Sequence, residues 1–254
     1  MLLAPSSTWS TRLTYPLRTK ATLLLLHDTP ILTVYEDPDK ATQQLQVHLN
    51  KIHPCLIKWR MQANETRSTQ VTFALKKQTC PRIHLYNKQL PQTNEVKYLG
   101  IHLDRRLIWR QHITMKRKQL DHKLSRLYWI MGRKSQLSLS NKLLVYTLTL
   151  KPVWTYGILL WGSASNSHLD ILDRFQSKAL RMLTNVPWFV PNAIIRNDLS
   201  VTTIRQEVKE HCNTYRQRLT VHPNHLATTL LQGLPCNRRL KRHYPEDLVT
   251  RFNY

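Results

Sequence analysis

The stretch from Val96 to Ile113, VKYLGIHLDRRLIWRQHI, decides the fold. Leu99, Ile101 and Leu103 alternate with Gly100 and His102, the period of a half-buried strand. A glycine inside such a strand lets another backbone or a bulky group approach closely. Asp104 breaks the strand, and Trp109 and Ile113 open a helical spacing. The stretch therefore reads as a junction, with a strand-rich part up to about residue 104 and an all-helical part beyond it.

Working outward toward the N-terminus, a strand is expected over Leu23 to Val34. Asp37-Pro38-Asp39 is a helix start, with Asp37 as N-cap, Pro38 at the first helical position and acids at the positive dipole end. Leu45, Leu49, Ile52, Leu56 and Trp59 follow at spacings of four and three and give that helix an apolar face. Pro54 inside it implies a kink or a damaged copy. Val71, Phe73 and Leu75 alternate, as do Ile83 and Leu85, and Asn87-Lys88 supplies a turn between antiparallel strands.

Toward the C-terminus, Ile113, Leu120, Leu124, Leu127 and Met131 make one helical face, with Lys116, Arg117, Lys118, Lys123 and Arg126 expected on the opposite one. Leu139, Leu143, Tyr146 and Leu150 continue the pattern to a stop at Lys151-Pro152. Ser167 to Asp170 reads as a capping box for a helix lined by Leu172, Phe175, Ala179 and Leu183. Ile204, Val208, Tyr215 and Leu219 mark one more long helix.

The 254 residues carry 38 Lys and Arg against 15 Asp and Glu, a formal net charge of +23. A chain so unbalanced is attracted to polyanions, and nucleic acid is the first partner to consider. Eleven of the cations lie between Lys97 and Lys134, opposed only by Asp104 and Asp121, which makes this segment the expected phosphate-binding surface. Arg238 to His243, RRLKRH, is a second basic cluster. The four cysteines, Cys55, Cys80, Cys212 and Cys236, are scattered and read as reduced, mostly core residues. His222 and His225 lack the short paired loops of a zinc site. No apolar run approaches a membrane span, so no membrane partner is expected and the chain reads as intracellular, nuclear or cytoplasmic. Residues 1–27 hold Arg12, Arg18, Lys20 and many Ser and Thr without an acid, which leaves a mitochondrial targeting segment as an alternative.

The junction resembles the strand-to-thumb transition of reverse transcriptases from non-LTR, jockey-like retrotransposons. The matching residues are Tyr98, Leu99, Gly100 and Ile101, then Leu107, Trp109, His112 and Ile113. The resemblance extends through Pro152, Trp154, Tyr156, Gly157, Trp161 and Gly162, then Arg174, Phe175, Gln176, Leu180 and Arg181, then Pro187 and Trp188. It covers residues 25 to about 248. It implies an α+β fold: a partial antiparallel palm sheet with one packed helix, followed by an all-α thumb and a C-terminal helical extension. Residues 1–22 would be unstructured or degenerate, 23–104 residual palm and connector, and 105–254 thumb and extension. Palm strands whose partners are encoded upstream would leave an edge unpaired near Leu23 to Val34.

The implied activity is RNA-directed DNA synthesis with Mg²⁺ held by carboxylates. In LLHDTPIL, Leu25 to Leu32, Asp28 falls on the second aspartate of the family's metal-binding hairpin and His27 on the first. Imidazole is a poor Mg²⁺ ligand, so Asp28 is a residual catalytic and metal position, and no bound metal is expected. Arg67, in WRMQANETRST, falls on a basic residue near the incoming triphosphate; a solvated cation is the other reading. Tyr98, Gly100, Arg105, Arg106, Arg110, Lys116, Arg117, Lys118, Lys123 and Arg126 are the expected contacts to template and primer backbones, RNA and DNA. Trp154, Trp161 and Trp188, set among apolar neighbours, are expected in the core rather than stacked on bases. The chain is thus expected to be a truncated, inactive polymerase fragment with a nucleic-acid-binding thumb, partnered by an upstream palm and fingers fragment. A non-catalytic nucleic-acid-binding protein is the alternative.

Overall fold

The computed structural model describes residues 20–26, 29–35, 37–60, 64, 68–74, 80–85 and 88–224. They fall into two compact units, one up to Val96 and one from Lys97. Both strands and helices are present, so the fold is α+β.

In the first unit, β1 (Lys20–Leu26) and β2 (Thr29–Tyr35) pair antiparallel with Leu26 opposite Thr29. The single strand expected over Leu23 to Val34 is therefore two, and the residues joining them, His27 and Asp28, lie outside the described residues. α1 (Pro38–Lys58) follows, then β3 (Thr69–Phe73), β4 (His84–Leu85), β5 (Lys88–Gln89) and β6 (Gln92–Thr93). The sheet order is β2-β1-β3-β6, with β3 antiparallel to β1 and parallel to β6. β1 is thus paired on both sides, and the edges of this sheet among the described strands are β2 and β6.

Asp37 caps α1 as expected, its carboxylate accepting the Asp39 N–H at 3.1 Å, with Pro38 in the first turn. The apolar face is buried only at Leu45 and Leu49. Ile52 and Leu56 are half-buried and Trp59 is exposed, while the helix runs through Pro54 to Lys58. Leu45 and Leu49 pack on Ile83, Leu85 and Leu90. Gln46 fastens β4 to α1, its amide bonding both the N–H and the carbonyl of His84 at 3.0 Å.

The boundary between the units falls within β7 (Glu95–Tyr98), which pairs with β8 (Ile101–Asp104). The strand expected to run through Gly100 is instead a hairpin. Leu99 (φ 45°) and Gly100 (φ 77°) are both left-handed, as a two-residue turn of the primed type requires. Leu99 is accordingly exposed while Ile101 enters the core.

The helices are α2 (Arg110–Arg126), α3 (Tyr128–Met131), α4 (Leu139–Val145), α5 (Lys151–Thr155), α6 (Ile158–Trp161), α7 (Asn166–Thr184), α8 (Asn192–Asp198) and α9 (Ile204–Thr220). The expected stop at Lys151-Pro152 does not occur. A π-helical turn, Tyr146–Leu150, joins α4 to α5, and the Lys151 N–H reaches back to Tyr146. The widened turn carries the helix past the proline, which has no N–H to give. The helix ends at Tyr156 and Gly157 (φ 68°), where a Cβ would also lie 2.8 Å from Ile101.

The capping box expected at Ser167 is absent because α7 starts earlier, with Ser165 as N-cap. Asp170 pairs with Arg205 instead. A capping box does form on α9, between Thr203 and Gln206.

The core of this unit gathers Ile113, Leu120 and Leu124 of α2 with Trp154, Trp161, Phe175, Leu180 and Val208. Trp154 and Trp161 are buried as expected, whereas Trp188 is exposed. Cys80 and Cys212 are buried, burial raising the Cys212 thiol to about 11, but Cys55 is exposed. Among the described residues no helix is long and apolar enough to cross a membrane.

One carboxylate joins the hairpin to the helices. Asp104 accepts the N–H groups of Ile108 and Trp109 at 3.0 Å, and its carbonyl accepts that of Leu107 at 2.8 Å. It holds Leu107 (φ 50°) and Trp109 (φ 65°) in left-handed conformations that cost about 1–3 kcal/mol each without such support. Asp104→Ala is expected to lower stability in urea unfolding by about 2–4 kcal/mol, and Asp104→Asn by less, since one acceptor remains. An unchanged midpoint in the alanine variant would show that the turn is held by other contacts.

Candidate nucleic-acid interface

Trp109 and His112, the motif residues at the head of α2, are structural. The Trp109 indole N–H donates to Ser163 Oγ at 2.8 Å in the interior. His112 Nδ1 accepts the backbone N–H of His102 at 3.2 Å, tying α2 to β8. His112 is fully buried, and its Nε2 has no partner. Burial first, then the charges of Lys116 and His102, lower its pKa to about 4, so the ring is neutral near neutral pH.

The next turn of α2 carries Lys116. Its ammonium lies 5.2 Å from the centroid of the Tyr156 ring. The Tyr156 hydroxyl in turn donates to the Leu99 carbonyl at 2.6 Å, at the tip of the β7–β8 hairpin. A Cβ on Gly100 would sit 3.5 Å from the same ring, an ordinary contact, so the glycine is there for its φ and not for space. Burial, Lys97 and Lys123 together lower the Lys116 pKa. Lys116 thus sits beside the hairpin tip, within the electrostatic reach of Lys97 on β7 and of Lys123 further along α2. A bound anion would relieve their mutual repulsion.

The remaining expected contacts do not form a single face. At 100° per residue, Lys116 and Lys123 lie beside the apolar stripe of α2 on one flank, and Arg117 lies on the other. Arg110, Lys118 and Arg126 are exposed and Lys123 is half-buried. Arg117 is turned inward. It binds the Asp121 carboxylate with two bonds of 2.7 and 3.0 Å, donates to the Ile171 carbonyl at 3.2 Å, and lies over the Phe175 ring. Burial alone would raise the Asp121 carboxyl, but Arg117 and Lys178 outweigh it and hold it below its usual value. Arg117 thus links α2 to α7. Tyr98 is half-buried at the end of β7, with Arg105 and Arg106 in the turn after β8. Asp28 and Arg67 lie outside the described residues, as does the basic cluster at 238–243. Tyr156 is the contact that periodicity missed; it falls in the Trp-x-Tyr-Gly string, which has no charge to draw notice.

The chain is 40% identical over 194 residues to the probable RNA-directed DNA polymerase from transposon X-element of Drosophila melanogaster, a match covering 76% of this chain and 21% of that protein. It is 33% identical over 234 residues to the RNA-directed DNA polymerase from mobile element jockey of Drosophila funebris, covering 88% and 25%. The jockey polymerase of Drosophila melanogaster matches at 34% over 229 residues, again 25% of its length. The chain is a homologue of the RNA-directed DNA polymerases of jockey-like non-LTR transposons, and spans about a quarter or less of the curated relatives it matches. No family model and no solved structure matches it.

The buried neutral His112 makes a pH prediction. Its folded pKa lies below the unfolded value of 6.5, so the unfolded chain binds the proton first. Stability should therefore fall as pH drops from 6.5 toward 4, this residue contributing about 1–3 kcal/mol of the loss. His112→Asn keeps an acceptor for His102 and cannot titrate. Urea midpoints across that window should slope less in the variant; identical slopes would assign the loss to other groups.

Proposed function

We propose that this chain is the nucleic-acid-holding portion of a jockey-like RNA-directed DNA polymerase, and that it does not carry the polymerase chemistry by itself. Residues 23–104 correspond in this reading to palm and connector, and 105–254 to thumb and extension. The observation that carries it is the Lys116 ammonium over the Tyr156 ring at the hairpin tip, backed by the exposed Lys97, Arg110, Lys118 and Arg126. Template and primer backbones, RNA or DNA, are the ligands that such a surface fits. A polypeptide supplying fingers and the rest of the palm would be the protein partner, with Arg67 toward the incoming triphosphate.

Polymerase chemistry runs through divalent metals held by carboxylates. The donor set does not fit. The imidazole of His27 stands where the resemblance puts an aspartate, and removes a negative charge from a site meant for two dications. Asp28 is the one carboxylate of this hairpin, so no catalytic step is assigned to it. The chain should not extend a primer on an RNA template with Mg²⁺ or Mn²⁺; incorporation above a heat-killed control, lost in Asp28→Ala, would overturn this.

Binding has its own test. The chain should hold RNA and DNA with little sequence preference and a steep salt dependence. Joint replacement of Lys118, Lys123 and Arg126 by Glu should flatten the log–log salt slope by about two to three units, at roughly 0.9 per lost phosphate contact on duplex DNA. Arg117→Ala should instead lower thermal stability and leave the slope near that of the parent. An unchanged slope in the triple variant would move the interface off α2.

A further inference from the structure

The loop between α7 and α8, Pro187 to Pro191, holds two aromatic rings out in solvent. Trp188 is 88% exposed and Phe189 68%. Their rings meet edge to face with centroids 6.2 Å apart. The loop under them is tied down. Arg181 donates to the Pro187 carbonyl at 3.0 Å, to the Val190 carbonyl, and to Asn192 Oδ1 at 3.0 Å. A proline stands at each end, further limiting the backbone. The aromatics are thus fixed in place yet unburied, although each could bury a large apolar area.

The same Arg181 lines a groove of about 620 Å³ between α7 and α8. Arg174, Lys178 and Arg181 come from one face of α7, at spacings of four and three, and Arg196 from α8. The acids in the groove, Asp170 and Asp173, are both paired with Arg205, which bonds Asp173 at 2.8 Å, and Asp173 also lies 3.6 Å from Arg196. Lys178 lies 3.6 Å from Asp121, an exposed and therefore weak pair. The groove keeps a net positive lining next to the two rings.

We infer that this loop and groove form a second nucleic-acid contact, specific for unpaired strands: Trp188 and Phe189 stack on exposed bases while Arg174 and Lys178 face the phosphates. Aromatic faces beside a cationic track are what single strands need, since every base has a π-face and a duplex keeps its own inside the stack. The charge argues against an apolar protein partner, for the rings are bordered by cations in a chain of net charge +23. The site rests on the proposed function only for the class of ligand, because it is built from other elements than the α2 patch.

The test uses the full chain, a fluorescent oligothymidylate and a hairpin duplex of equal charge, with affinities read by anisotropy. Joint Trp188→Ala and Phe189→Ala replacement should weaken oligothymidylate binding by about tenfold or more, as expected for lost base stacking, and change duplex binding by less than about twofold. Trp188→Phe should keep most of the affinity. Replacing Lys118, Lys123 and Arg126 by Glu should weaken both ligands. Unchanged oligothymidylate affinity in the double variant would overturn the proposal, as would an equal loss on both ligands. Nucleic-acid binding left intact while a dimer seen by sedimentation disappears would assign the surface to self-association instead. A parent chain that binds duplex but not oligothymidylate removes this site alone; one that binds neither removes the α2 reading as well.

Discussion

The Asp104 carboxylate holds the chain at its sharpest change of direction, and the second unit is organised around it. Between Ile101 and Arg110 the backbone passes from strand to helix through two left-handed non-glycine residues. Two N–H groups donated to one carboxylate make that path tenable. Trp109 is then aimed at Ser163, and His112 at the backbone of β8. The hairpin is pinned from the other side by the Tyr156 hydroxyl on Leu99. Lys116 lies against Tyr156 as a consequence, and Lys97 is brought near it. The basic patch is a product of the turn as much as of the residues that bear the charge.

In a chain with 38 basic residues, charge alone does not say which cations face a ligand. Here the inward ties among the described residues are made largely by arginine. Arg117 joins α2 to α7, Arg181 holds the aromatic loop, Arg196 bonds Gln176 and Ser177, and Arg205 grips Asp170 and Asp173. A planar fork of donors suits several fixed acceptors at once. Lys118, by contrast, is left on the surface, where a compact hydrated charge can follow a phosphate backbone without a fixed geometry. Lys142 and Lys151 are the exceptions, bonded to the Gly132 carbonyl and the buried Glu207.

The sequence by itself determined much of what depends on neighbours along the chain, although not the start of α7. Asp37-Pro38 caps α1 because a cap needs only the first turn. The apolar spacings of α2, α7 and α9 survive as buried stripes, and the change from strands to helices falls where Asp104 marks it. The likeness to jockey-like polymerases was legible too, because motif strings are themselves local. Tertiary structure decided the rest. Alternation of Leu99, Ile101 and Leu103 reads the same through a straight strand or across a two-residue turn, so the hairpin was invisible to periodicity. The helix outran Pro152 because a π turn absorbed the missing donor. Arg117 bears the same charge as its surface neighbours, and only the packing of Asp121, Ile171 and Phe175 around it turns it inward. Trp188 kept the look of a core residue although its loop is held by Arg181 away from the interior. Partners such as Trp109 and Ser163 are 54 residues apart, and Tyr156 and Leu99 57. Residue type and period say what a side chain can do; which distant group it meets depends on how the helices pack.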